Sequence, residues 1–394
     1  MNAPKPTAGR KNQVMIVAGE ASGDLHGAHL VHSMREISPS ISFFGMGGAE
    51  LKDAGVEVLF DAARISVVGL TEVFSHLRDI LAARRLLMQE MKSRKPALLI
   101  VIDFPDFNLM LAAKARKLGI PVLYYISPQV WAWRSGRVGK IGRLANRIAV
   151  ILPFEKDFYR ERNVAVDFVG HPLMDSVKTT CTPEEFRQSL SIDRGKTVIG
   201  LLPGSRSKEI IALLPDFLAA AKRLTVITDN EYVFLLPRAN TISLQLLNEN
   251  GLDNYRDQLD IRVLDSNRYD LMAACDAAVA ASGTVIMELA ILGIPTVAAY
   301  RVSPRTYFLG RMLTKLKSFT LVNLIAGRNI IPELLQDQAT PVNIARELAL
   351  ILDAEDVREK IKQGLAEVRQ KIGRPGASKR AAEIAFELIG SHGQ

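Results

Sequence analysis

The stretch VAGEASGDLHG, Val17 to Gly27, decides how the rest of the chain is read. Strand-like residues Val14, Met15, Ile16 and Val17 lead into it, and its glycines stand four apart at Gly19, Gly23 and Gly27. A glycine-rich turn from strand to helix can cradle a phosphate, because it brings backbone N–H groups to a helix N-terminus. Glu20 argues against that use here, since its carboxylate stands where the anion would lie. A turn with its own negative charge suits hydroxyl groups, or assistance to a neighbouring base.

Outward from this turn, short apolar runs alternate with helical stretches: VMIVAG, LLIVID, PVLYYIS and RIAVILP in the first half, VIGLLPG, YVFLLPRA, IRVLD, AAVAASG and PTVAAYR in the second. Such runs fit parallel strands covered on both faces, so the expected fold class is α/β, two doubly wound Rossmann-like domains facing a cleft, with C-terminal helices. LGIPVLYYISP (118–128) is echoed by LGIPTVAAYRVSP (292–304), each with a helix-ending glycine and a strand-starting proline. We expect a disordered tail over 1–13, one Rossmann-like domain over 14–180, a second over 181–340 and helices over 341–394. The hinge is expected within Gly170 to Lys196.

The chain has 394 residues, 48% of them hydrophobic and 23% charged, which is globular composition. Its net charge of +8 favours an anionic partner. Cys181 and Cys275 lie far apart with no metal-ligand spacing around either, which points to a reducing, cytoplasmic setting and to no metal. The apolar window Ala277 to Tyr300 is broken by Ser-Gly-Thr and Gly-Ile-Pro, so it reads as strand, helix and strand and not as a membrane span.

Two turns of the second half are candidate anion sites. In LLPGSRSKEI, Gly204 and Ser205 offer backbone amides and Arg206 a fixed positive fork; a capped helix with a solvated arginine would read the same way. In SGTVIMELA, Ser282, Gly283 and Thr284 offer amides and hydroxyls, and Glu288, one helical turn on, suits ribose hydroxyls or a plain surface position. Two such turns in one domain suggest a nucleotide diphosphate. There is no Walker motif and no Asp-x-Asp. Asp103 and Asp106 in VIDFPDFN follow a buried-looking strand; Asp103 at the strand end suits a general base, or simply the start of a turn before Pro105. His26 is the competing base.

With GEASGD (19–24), DFPDFN (103–108), SPQVWAWR (127–134), LPFE (152–155), GHPLMD (170–175), LLPGSR (201–206), SGT with Glu288, and LVNLIAGRNIIPELLQ (321–336) in order, the chain resembles the lipid-A-disaccharide synthase family, glycosyltransferases of the two-Rossmann-domain GT-B type. The resemblance implies an enzyme joining UDP-2,3-diacylglucosamine to 2,3-diacylglucosamine 1-phosphate through a β-1,6 bond, with release of UDP and no cofactor. It implies that Asp103 is the base on the acceptor 6-hydroxyl with Glu20 nearby, and that Arg206, Glu288 and Asn323 belong to the nucleotide-sugar site. Ser22, Asp106, Asn108 and Arg328, inside the matching motifs, are further substrate-binding candidates.

Acylated substrates require contact with a membrane, which suggests a peripheral enzyme on the inner face of the cytoplasmic membrane. Ile65, Val67, Val68 and Leu70 form a continuous apolar run suited to insertion, beside a helix ending in Arg84, Arg85, Lys92, Arg94 and Lys95 that suits an anionic leaflet; the helix itself also reads as core. Trp131 and Trp133, with Arg134, Arg137, Lys140 and Arg143 after them, read either as interfacial or as a solvated basic loop. No nucleic-acid-binding motif is present. A homodimer through the C-terminal helices is compatible with the sequence but argued by no particular residue. The alternative enzyme is another UDP-sugar enzyme of the same fold, an epimerase or a transferase to a different lipid.

Overall fold

Val14–Ala18 is fully buried because β1 (Gln13–Ala18) lies in the middle of a sheet. Its neighbours are β2 (Ser42–Gly47), β3 (Glu57–Asp61), β4 (Leu98–Ile102), β5 (Val122–Tyr125), β6 (Arg147–Val150) and β7 (Asp167–Phe168). The seven strands run parallel in the order β3-β2-β1-β4-β5-β6-β7. Side chains alternate across it: Met15, Val17, Leu99 and Val101 enter one apolar core, while Val14, Ile16, Leu98, Ile100 and Ile102 enter a second on the opposite face. Strands buried on both faces explain why these runs are continuously apolar in sequence.

A second sheet orders β8 (Thr197–Leu202), β9 (Tyr232–Pro237), β10 (Ile261–Leu264), β11 (Ala277–Ala281), β12 (Thr296–Tyr300) and β13 (Glu333–Leu335) as β10-β9-β8-β11-β12-β13, again all parallel. The echoed LGIP segments lead into β5 and β12, which hold the same place in their sheets. Gly119 (φ +70) and Gly293 (φ +76) both take the left-handed conformation that ends the preceding helix. The repeat is thus a repeat of architecture.

The computed structural model describes residues 12–65, 77–133, 135–301 and 318–392, which fall into two units, Met1–Pro172 with Gly373–Gln394, and Leu173–Ile372. Most of the expected tail, Val67, Val68, Leu70 and Arg134 lie outside the described residues. Of the C-terminal helices, Pro341–Asp353 and Glu355–Lys371 belong to the second unit, whereas Ala377–Ser391 returns to the first. There it packs on the Ala21–Ile37 helix, and Arg380 donates to the Val169 carbonyl at 2.9 Å.

The glycines of the opening stretch serve packing. A Cβ on Gly19 would fall 2.4 Å from the Phe104 ring, and one on Gly27 would meet Ile102 at 3.1 Å and Leu51 at 3.2 Å. They let the Ala21–Ile37 helix lie close on β4. Asp24, 5% exposed, accepts from the N–H groups of Gly48 (2.6 Å), Glu50 (3.0 Å) and Leu51 (3.4 Å), and so caps the Ala49–Asp53 helix from a distant element. Asp24→Ala is expected to lower stability by about 1–3 kcal/mol by orphaning these donors, as read from a urea melt.

Candidate active site

In the first unit, candidate residues gather at the carboxyl ends of β1 and β4, the edge where doubly wound sheets bind ligands. Asp103 (φ +41) and Phe104 (φ +44) are both left-handed, as is Ile126 (φ +59) after β5. Non-glycine residues hold that conformation only where surroundings over-determine it. Here the Asp103 N–H donates to the Ile126 carbonyl (3.2 Å), and the Asp103 carbonyl accepts from Asn108 Nδ2 (2.8 Å) and the Tyr124 hydroxyl (2.8 Å). Asn108 Nδ2 also donates to the Ile102 carbonyl at 3.0 Å.

Burial, and then the neighbouring Glu20 carboxylate, push the Asp103 carboxyl up to about 7, against a backbone hydrogen bond from Phe104 that lowers it. Glu20 itself is exposed at the N-cap of Ala21–Ile37, and its side chain makes no capping bond. Ser22 is exposed one step further on. Glu155, which sequence reasoning passed over, is 1% exposed; its carboxylate accepts the Leu152 N–H at 3.0 Å, and burial raises it to about 8, with the Asp103 charge adding to the shift. The LPFE motif was its only signal. His26 is pushed down to about 4 by burial and by His29, so it is neutral near pH 7 and a weak base.

Other candidates of this unit are already engaged. Asn108 is completely buried, and its Nδ2 donates to the Ile102 and Asp103 carbonyls, which positions Asp103. Asp106 is exposed but ion-paired with Arg137 at 2.5 Å. Ile65 is 3% exposed within the apolar core, because the 3-10 turn Ala62–Arg64 directs it inward, and Arg94 is held by Glu57 (2.6 Å) and Glu90 (2.7 Å), so neither is free to meet lipid.

In the second unit, the turn after β8 carries Gly204 at φ +116, a conformation that favours glycine. Of the two amides expected to face an anion, Gly204 and Ser205, that of Ser205 already does so, joined by that of Arg206. Ser205 and Arg206 donate backbone N–H to Glu209 Oε2 at 2.9 and 3.2 Å, and Arg206 Nη1 reaches Oε1 at 3.0 Å. An internal carboxylate therefore occupies the anion position. After β11 the turn is open: Gly283 and Thr284 are exposed, a Cβ on Gly283 would meet nothing within 4 Å, and no side chain caps the Thr284–Leu292 helix. The Ser282 N–H is used by the Ala299 carbonyl at 2.9 Å.

Glu288 is 4% exposed; its Oε1 accepts from Arg268 (2.5 Å) and from the Tyr269 hydroxyl (3.3 Å), with Arg268 stacked 4.6 Å from the Tyr269 ring. Arg268 and Tyr269, in the SNRYD run after β10, were not legible as partners because they are distant in sequence. Asn323 is 1% exposed and saturated, donating to the Ile331 carbonyl (3.0 Å) and Glu333 (2.8 Å) and accepting from Ile330 (2.8 Å) and Ile331 (3.1 Å). It clips a loop and has no capacity left for a nucleotide. Arg328 is paired with Glu367 at 2.8 Å.

The structure of S. aureus MnaA with UDP aligns with a TM-score of 0.65 at 14% identity, covering 96% of this chain and 97% of that one; Acinetobacter baumannii MurG aligns with a TM-score of 0.62 at 16% identity, covering 95% and 99%. These likenesses define the class: the two-unit GT-B fold shared by glycosyltransferases and UDP-N-acetylglucosamine 2-epimerases. The family is narrower. A family model described as Lipid-A-disaccharide synthetase matches residues 14–388, and the lipid-A-disaccharide synthases of Geobacter sulfurreducens (45% identical over 98% of this chain and 99% of that protein) and Syntrophus aciditrophicus (48% over 95% and 97%) are similar throughout. The chain belongs to the lipid-A-disaccharide synthase family.

Proposed function

We propose that Asp103 is the base of an inverting glycosyl transfer, and that the turns after β8 and β11 receive the departing diphosphate. The reaction condenses UDP-2,3-diacylglucosamine with 2,3-diacylglucosamine 1-phosphate to the β-1,6-linked disaccharide 1-phosphate and UDP. The observation that carries the assignment of the base is the strained, hydrogen-bonded seat of Asp103, whose carboxyl is raised to about 7. A group so placed accepts a proton near neutrality.

The acceptor 6-hydroxyl attacks the anomeric carbon, its proton passes to Asp103, and the bond to the UDP oxygen breaks from the opposite face. Glu20 binds an acceptor hydroxyl and keeps Asp103 basic. Charge growing on the diphosphate is met by the uncapped Thr284–Leu292 N-terminus and by Arg206. The diphosphate takes the place of the Glu209 carboxylate on the Ser205 and Arg206 amides. Glu209→Gln, which keeps an acceptor but removes the charge, is expected to tighten UDP binding about two- to fivefold, as measured by calorimetry.

The membrane face is the edge at Leu77 and Leu81, 48% and 49% exposed, with Arg84 and Arg85 beside them to meet an anionic leaflet. Among the described residues no helix is long and apolar enough to cross a membrane. The test of the reaction is UDP release in detergent micelles containing EDTA, with and without the acceptor. Release that needs the acceptor and survives EDTA supports the reading; acceptor-independent turnover of the UDP-sugar would replace it with the epimerase alternative.

A further inference from the structure

A cavity of about 590 Å³ opens at the foot of the second sheet, among the segments that enter β8, β11 and β12 and the start of the Glu355–Lys371 helix. It lies at the amino ends of the strands, on the order of 15 Å from the Gly204 and Gly283 turns at their carboxyl ends. Arg187, Arg194, Lys196, Arg358 and Lys362 line it, against only Asp276 and Glu355. Both carboxylates are already engaged. Asp276 accepts from Arg187 at 3.0 Å and from the Val198 N–H at 2.8 Å, and Glu355 is paired with Arg358.

Three positive charges are left over. Arg194 and Lys362 make no hydrogen bond or ion pair among the described residues, and the charge of Lys196 reaches Asp260, which Arg262 already holds at 2.9 Å. Concentrating unneutralised cations around a recess raises the potential inside it and is unfavourable without a counter-charge. One phosphate group carries at most two charges, so the recess is matched by a ligand with two or more. Its volume is that of a small-molecule site.

We propose that this cavity binds a diphosphate or polyphosphate group, at a second anion site separate from the one that handles the sugar nucleotide. Two sources share this chemistry, a soluble phosphate ester and an anionic phospholipid headgroup. The test titrates inorganic pyrophosphate into the full chain with UDP held saturating, so that the turns after β8 and β11 are filled. Wild type is expected to bind pyrophosphate under these conditions, Arg194→Ala/Lys362→Ala to weaken it at least tenfold, and Arg223→Ala, an exposed cation elsewhere on the same unit, to leave it unchanged.

Acceptor-dependent UDP release serves as the check that the variants are folded and that the transfer site is intact. Binding abolished by UDP, binding equal in wild type and double variant, or an equal loss in Arg223→Ala overturns the proposal. Sedimentation with phosphatidylcholine vesicles, with and without cardiolipin, whose headgroup carries two phosphates, separates the sources. Loss of anionic-vesicle binding in the double variant assigns the headgroup; unchanged vesicle binding alongside lost pyrophosphate binding assigns the soluble ester.

Discussion

Asp103→Ala is expected to lower turnover by about 10²–10⁴, the range of a positioned general base, while UDP binds as before because the turns proposed to receive it lie in the other unit. The sign of the pH dependence follows from burial and from Glu20, which hold the Asp103 carboxyl at about 7. Below that value the group is protonated and accepts nothing, so kcat/KM in the wild type falls as pH drops through about 7. Asp103→Asn is expected to lower turnover by about 10²–10⁴ as well and to remove this acidic limb from the residual activity. Glu20→Gln, by removing the neighbouring charge, moves the limb to lower pH. A pH–rate profile of the three proteins is the measurement, and near-normal turnover of Asp103→Ala removes the residue from the role.

Asn108→Ala is expected to lower kcat by about 10² without weakening UDP binding. The side chain is completely buried, and its Nδ2 joins the Ile102 and Asp103 carbonyls and fixes two consecutive left-handed residues. Without it the turn relaxes toward ordinary backbone angles and the carboxylate moves; a displacement of about 1 Å is enough for a loss of that size. The measurement pairs kcat with the UDP dissociation constant. An equal loss in both, with a lowered melting temperature, would reduce Asn108 to a general stabiliser of the unit.

The fold was legible because doubly buried parallel strands leave continuous apolar runs, and because helix-ending glycine followed by strand-starting proline recurs at equivalent places before β5 and β12. Asp103 was legible for a related reason, since a carboxylate ending such a run must sit at the ligand-binding edge. What could not be read were partners brought together by the fold. Nothing near Gly19 in sequence announces the Phe104 ring that requires a glycine there. Nothing near Glu288 in sequence announces Arg268 and Tyr269, which the Arg268–Ala273 helix after β10 carries to its Oε1. Asn323 looked free because its three partner residues, Ile330, Ile331 and Glu333, lie seven to ten residues on. Ile65 belonged by composition to a membrane-seeking run, but a 3-10 turn sends it into the core.

The return of Ala377–Ser391 to the first unit bears on how the protein is made. Its inward residues Ala381, Ala382, Ile384, Ala385 and Leu388 fill the core beside Leu30 and Val31 of the Ala21–Ile37 helix. A ribosome makes them after the whole of the second unit. The amino-terminal half therefore emerges with one side of its interior uncovered until Ala377–Ser391 has been made. A nonsense codon between Ile372 and Ala377 is expected to leave that surface bare and make the product a substrate for chaperones and proteases, however well its second unit has folded.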